Sequence, residues 1–306
     1  MTLIFATSDK GGTGRSVTSC NMLYRRALQG DNVCYLDFDF GSPTAGAVFE
    51  VSSAMTGIDG HGLHSYLQGR VVEPKRLDVW TASDRAALRS RPVGSGALTL
   101  LPGDRGGGEF ALTKDVRRRC AELFLRLEEE FDLCLIDLSA GRSFAVDLAL
   151  EVSGQQALRK VTCRWLIFHR WTRQHILAAN GLAYGDRGIL KTGKAYGHEE
   201  YVMRDSIRFV RTAVLEPDSP LLTQISPAQS AWLRECNRDL QEWAARNELG
   251  LSNVLGQTPL DPVLQWREQL ISDGDVSTTR IANAATVTAF DDLARRLTDD
   301  SAWEGL

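Results

Sequence analysis

One stretch near the start, Thr7-Ser8-Asp9-Lys10-Gly11-Gly12-Thr13-Gly14-Arg15-Ser16, limits what this chain can fold into more than any other. It follows the apolar run Leu3-Ile4-Phe5-Ala6 and leads into a helical pattern that stops at Gly30-Asp31. A strand that ends in a glycine-rich loop and opens a helix makes a cradle for an anion. The glycines let backbone N–H groups converge, and the helix N-terminus adds a positive dipole end. Gly11, Gly12, Thr13, Gly14, Arg15, Ser16 and Val17 are therefore candidate phosphate-binding positions. Ser16 stands where a hydroxyl would ligate the metal of a bound nucleotide. Arg15 occupies the place usually held by a lysine, and a second cation, Lys10, sits at the loop entrance.

Two further strand-end signals follow. Val33-Cys34-Tyr35-Leu36 runs into Asp37-Phe38-Asp39, and Phe131-Asp132-Leu133-Cys134-Leu135-Ile136 runs into Asp137. Apolar runs at 2–7, 32–37, 98–102, 132–137, 164–169, 207–212 and 253–257 predict strands. Helical patterns are expected at 14–29, 113–130, 173–184, 227–247, 262–272 and 280–298. This alternation predicts an α/β chain with a mainly parallel central sheet and helices on both faces. Residues 1–306 read as a single domain. The glycine- and proline-dotted segment 51–97 is expected to be a variable, flexible excursion, and Gly106-Gly107-Gly108 a hinge or loop.

Taken together, these motifs resemble the MinD/ParA superfamily of P-loop ATPases, whose deviant loop pattern is K-G-G-x-G-K-[ST]. Lys10, Gly11, Gly12, Gly14 and Ser16 match, and Arg15 departs. Asp37-Phe38-Asp39 matches the family's Asp-x-Asp, Asp137 its Walker B aspartate, and Asn21 a common helix asparagine. Pro259-Leu260-Asp261 looks like its last turn, and 283–297 like its closing helix. The resemblance covers most of the chain, with poor matching at about 51–98 and 184–205. The chain also resembles a family of actinobacterial variant P-loop proteins, a name that describes the loop and no activity.

The resemblance implies ATP and Mg2+ as ligands. It implies metal roles for Ser16, Asp37 and Asp137, a water-orienting role for Asp39, and a Lys10 that reaches across an ATP-dependent homodimer. Arg15 puts hydrolysis in question. Guanidinium is planar, bidentate and longer than an ammonium, so in a tight loop it is expected to tilt or push outward. The leading reading is an ATP-binding dimerisation switch of the ParA/MinD type with slow or partner-stimulated hydrolysis, acting on an unknown protein partner. The alternative is a non-hydrolysing scaffold. A biosynthetic ligase of the same superfamily would need a further substrate site that the sequence does not display. Arg142, just after Asp137, is a candidate to compensate for Arg15.

Composition narrows the class. Charged content of 24% and net charge −4 suit a globular protein in water, and no apolar run reaches the roughly 18 residues of a membrane span. Six cysteines without C-x-x-C pairing fit a reduced, cytoplasmic setting, and no room for a signal peptide is expected. Residues 155–212 hold 11 Lys/Arg against 4 Asp/Glu. This band could meet the phosphates of non-specific DNA; the plainer alternative is a set of solvated faces partly paired with the acidic C-terminal third. The tail at 298–306 is acidic, which argues against membrane targeting through a basic helix.

Overall fold

Strands buried on both faces need apolar side chains in both alternating sets, and the short runs of this chain supply them. The computed structural model describes every residue except 90, 217, 218, 220, 221, 224, 305 and 306. Its strands are β1 (Thr2–Thr7), β2 (Val33–Phe38), β3 (Leu77–Asp78), β4 (Leu98–Leu101), β5 (Leu133–Leu138), β6 (Thr162–Arg170), β7 (Ile207–Val214) and β8 (Val254–Pro259). They form one sheet in the order β3-β4-β2-β5-β1-β6-β7-β8. Its described pairs are parallel except β3 with β4. The α/β class with a mainly parallel sheet is therefore as the pattern predicts.

Alternation along β1 divides the core. Leu3 and Phe5 join one apolar layer, where Phe124, Leu148 and Ile176 bring in the helices Lys114–Glu130, Phe144–Ser153 and Arg173–Tyr184. Ile4 and Ala6 join the other, with Leu23 of the helix Arg15–Leu28 and Leu293 of the helix Ala284–Arg296. Helices thus cover both faces. β1 lies at the centre between β5 and β6; the chain leaves it for β2 on one side, while the β5-to-β6 connection crosses to the other, the crevice position favoured for ligands in open parallel sheets.

Three expectations are corrected. The helix foreseen at 262–272 exists only as Val263–Trp266, with a separate turn of helix at Asp273–Ser277. Between them the backbone bonds to a side chain: Asn21 Nδ2 donates to the Gln269 carbonyl at 3.1 Å, and the Ile271 N–H donates to Asn21 Oδ1 at 2.8 Å. Residues 51–97, foreseen as flexible, are folded against the sheet. Trp80 is buried and donates to the Gly96 carbonyl at 3.0 Å, while His64 Nε2 donates to the Phe40 carbonyl at 3.0 Å. Part of the basic band faces inward. Arg164, Arg208 and Arg211 are buried, and Lys191, Lys194 and Arg204 pair with Asp186, Glu200 and Glu248. The acidic tail uses two of these buried arginines. Trp303 is buried with the guanidinium groups of Arg164 and Arg208 over its ring at 4.8 and 5.6 Å, and Arg164 also pairs with Asp300. Residues 305 and 306 of that tail lie outside the described residues.

The three-glycine run is not a second phosphate loop. The Gly108 N–H donates to the Phe40 carbonyl at 2.6 Å, which ties the run to the segment just after Asp39. A Cβ on Gly107 would lie 2.2 Å from that same carbonyl oxygen. We expect Gly107→Ala to destabilise the protein by roughly 1–3 kcal/mol in urea unfolding, the range for forced overpacking. A midpoint equal to wild type would show that the Phe40 backbone yields freely.

Candidate phosphate-binding site

Side-chain oxygens of Thr113, Ser143, Thr172 and Ser226 cap the helices that begin at Lys114, Phe144, Arg173 and Pro227. The helix Arg15–Leu28 has no such cap. It starts from Gly14, whose φ of 74° lies in the left-handed region where a side chain is strained, and no acidic residue occupies its first turn. Its leading N–H groups face the end of β1 without a side-chain acceptor, the arrangement of an anion cradle. Beside it opens a cavity of about 200 Å3, lined by Gly12, Gly14, Val17, Arg170, Thr212 and Asp261 among others. The Thr212 hydroxyl donates to the Thr13 carbonyl at 2.5 Å and so fixes the loop against β7. A larger cavity of about 490 Å3 opens near the start of β6, at the opposite end of the sheet, and has no part in this site.

Arg15 decides the character of the site, and it does the reverse of what its size suggests. It does not push outward. Its guanidinium turns inward and is 7% exposed. Nε donates to Asp137, Nη2 donates to Asp39 Oδ2 at 2.9 Å, and Nη1 donates to the Ser8 hydroxyl at 3.3 Å. Burial disfavours this charge, but the carboxylates of Asp137 and Asp39 outweigh that, and the group stays firmly protonated. Asp137 is closed from its other side by the Tyr35 phenol, which donates to Oδ2 at 2.5 Å. Burial and the Asp137 charge both hold Tyr35 in its neutral form.

The parallel register explains these meetings. Asp37 pairs with Asp137 across β2 and β5, and Tyr35, two residues earlier, lies on the same face. Asp37 accepts from the Ala45 N–H at 3.0 Å and the Asp39 N–H at 3.3 Å. Burial and the neighbouring Asp137 charge push its carboxyl up to about 8. Lys10 is half-buried at the loop entrance, and its ammonium makes no hydrogen bond or ion pair among the described residues. The Ser16 hydroxyl is likewise free of side-chain partners among them.

The expected residues therefore come together, but with the charges of Asp137 and Asp39 already answered by Arg15. Both oxygens of Asp137 are occupied, Asp39 is held by Arg15, and Asp37 by backbone N–H groups. Among the described residues no cluster of three or more His, Cys, Asp or Glu side chains is placed to hold a metal. In this arrangement Arg15 already neutralises Asp137 and Asp39, so a magnesium ion would find neither carboxylate with an unanswered charge. Arg142 is engaged elsewhere, with Asp9 at 3.3 Å and the carbonyls of Gly181 and Arg187, so it does not compensate for Arg15. Arg211 stacks on Trp171 at 4.0 Å and donates to the Leu249 carbonyl, away from the loop. Asp261 caps the closing helix, accepting from the Asn283 N–H at 2.8 Å and the Thr286 hydroxyl at 2.7 Å. Sequence reasoning missed Tyr35 and Ser8. Strand alternation back from Asp37 was the signal available for Tyr35.

No family model and no characterised protein sequence matches the chain. Solved structures do. The MinC:MinD cell division complex of Aquifex aeolicus matches with a TM-score of 0.61 at 16% identity, covering 100% of this chain and 97% of that one. The septum site-determining protein MinD of Pyrococcus horikoshii, complexed with Mg-ADP, gives 0.54 at 16% identity, covering 98% and 97%. The pNOB8 ParA bound to nonspecific DNA gives 0.55 at 16% identity, covering 97% of each chain. The chain thus has the P-loop ATPase fold of MinD and ParA proteins over its whole length.

One buried titratable group lies under the loop. The His169 carbonyl accepts from Thr212, while its own Nδ1 donates to the Arg170 carbonyl at 3.0 Å and Nε2 is buried without a partner. Burial and the nearby Arg211 charge pull this imidazole down to about 4. Below pH 6.5 the unfolded chain takes up a proton that the folded one refuses, so stability falls as pH drops from about 6.5 to 4, by up to ~3 kcal/mol. His169→Asn should show a smaller fall in Tm between pH 7 and pH 5 than wild type. Equal falls would remove His169 as the cause.

Proposed function

We propose that this protein is a nucleotide-binding dimerisation switch of the ParA/MinD type that recruits or positions a protein partner. One observation carries the reading: an uncapped helix N-terminus on a glycine loop, with an unpaired Lys10 at its entrance, at the centre of a sheet whose fold matches MinD and ParA end to end. Loop N–H groups would hold the phosphates of ATP. Lys10 would extend to the phosphates bound by a second copy and make dimerisation depend on nucleotide. Cell-division and partition relatives solved with MinC and with DNA support an output through partners. The basic band adds less than its sequence suggests, because Arg164, Arg208 and Arg211 are buried. Among the described residues no helix is long and apolar enough to cross a membrane.

The Arg15–Asp39 pair favours the second reading on one point. The carboxylate expected to orient the attacking water is engaged by the guanidinium, so hydrolysis should be slow or absent. A non-hydrolysing scaffold and a slow switch share the same nucleotide-dependent dimer.

Light scattering with ATP should show a monomer-to-dimer shift, weakened by Lys10→Ala and lost in Gly14→Val, whose side chain is strained at a positive φ. A mass indifferent to nucleotide would sink the switch. Arg15→Lys should free Asp39 and, with Mg2+ present, speed ATP hydrolysis by about tenfold or more, equivalent to about 1.4 kcal/mol of barrier. Asp39→Ala in that background should abolish the gain. An unchanged Arg15→Lys rate would place the defect elsewhere.

A further inference from the structure

We propose that the Arg15 guanidinium is the resident cation of this site, standing in place of a divalent ion, so that nucleoside polyphosphates bind in their metal-free form. The inference rests on the nucleotide-binding reading above and deepens it.

Three features argue for it. First, one planar group answers both Asp137, the carboxylate expected to support a hydrated ion, and Asp39, the one expected to orient water. Nε meets Asp137 and Nη2 meets Asp39, while Nη1 uses Ser8. Second, each oxygen of Asp137 already accepts a buried donor, Oδ1 from Arg15 Nε and Oδ2 from the Tyr35 phenol at 2.5 Å. A metal approaching this carboxylate would meet a charge that the Arg15 guanidinium already neutralises. Asp37 is similarly spent on the N–H groups of Ala45 and Asp39. Third, a guanidinium carries five N–H donors, and Arg15 commits three of them. The two that remain suit phosphate oxygens, which guanidinium binds in paired, charge-assisted fashion. They supplement the loop N–H groups and Lys10. A lysine at the same place carries three donors on one nitrogen and cannot span two carboxylates and a hydroxyl in this way, so the metal would be needed again.

The test is a titration of the full-length protein with a fluorescent methylanthraniloyl-ATP, in excess EDTA and in Mg2+. Wild type should bind with affinities that agree within about twofold, whereas Arg15→Lys should weaken in EDTA by roughly tenfold or more. A wild-type affinity that falls by roughly tenfold in EDTA overturns the proposal. A second measurement needs no nucleotide. Mn2+ should leave the Tm of wild type unchanged, since Arg15 already neutralises Asp137 and Asp39, and should raise that of Arg15→Ala, which uncovers both. A Mn2+-dependent rise in wild type overturns the proposal, and that limb stands even where Arg15→Ala fails to fold. Absence of fluorescent-ATP binding in both buffers would remove the switch reading alone, leaving the Mn2+ limb to decide the role of Arg15.

Discussion

A guanidinium buried between two carboxylates holds the loop to the sheet. Removing Arg15 from water carries a desolvation cost of several kcal/mol, which only close, well-hydrogen-bonded counter-charges can offset. Asp137 from β5 and Asp39 from the end of β2 supply them, and Ser8 takes a further donor. The pair thereby fixes three separate stretches of chain: the first turn of the helix, the loop before it and the strand ends on one side of β1. Losing Arg15 would strand Asp137 at 2% exposure, and losing Asp137 would leave the 7%-exposed Arg15 with Asp39 alone, so these elements depend on one another.

That geometry is inherited from the parallel register. Strand β2 lies beside β5, which places Asp37 opposite Asp137 and Tyr35 one side-chain step inward on the same face. The helix that follows the loop packs on this face, with Leu23 in the same apolar layer as Tyr35 and Leu135. An arginine in its first turn is therefore delivered to the carboxylates by packing that would occur whatever the residue at position 15. The outward tilt expected for a long side chain in a tight loop fails for this reason. The expectation considered steric room in the loop but not the negative charge waiting beside it.

What could be read from the chain followed the range of the physics involved. Strand positions came within about two residues of the observed ends, because buried parallel strands are short apolar runs that need only local sequence to be seen. The glycine loop, Asp37, Asp39 and Asp137 were visible for the same reason. β3 was not, since it spans two residues and exists only through its antiparallel contact with β4. The helix Phe144–Ser153 was hidden because most of its residues are buried, leaving little polar face to give it a period. The break after Trp266 depends on Asn21, some 250 positions away, and such side-chain-to-backbone competition leaves no local mark. The direction of Arg15 and the phenol of Tyr35 are properties of packed neighbours.

Arginine and lysine are often treated as equivalent cations, and here the surroundings say otherwise. An ammonium is one point of charge, whereas the three nitrogens of Arg15 each reach a different protein oxygen, on Asp137, Asp39 and Ser8. Tyr35 then supplies the phenol, so that each oxygen of Asp137 accepts a buried donor. A loop that had merely lost its lysine would be expected to leave carboxylates exposed or a cation in solvent. Instead each nitrogen of Arg15 meets its own oxygen acceptor, and the Asp39 carboxylate is one of the three. The site is built around its arginine, and the contacts that secure the loop are the same ones that engage Asp137 and Asp39.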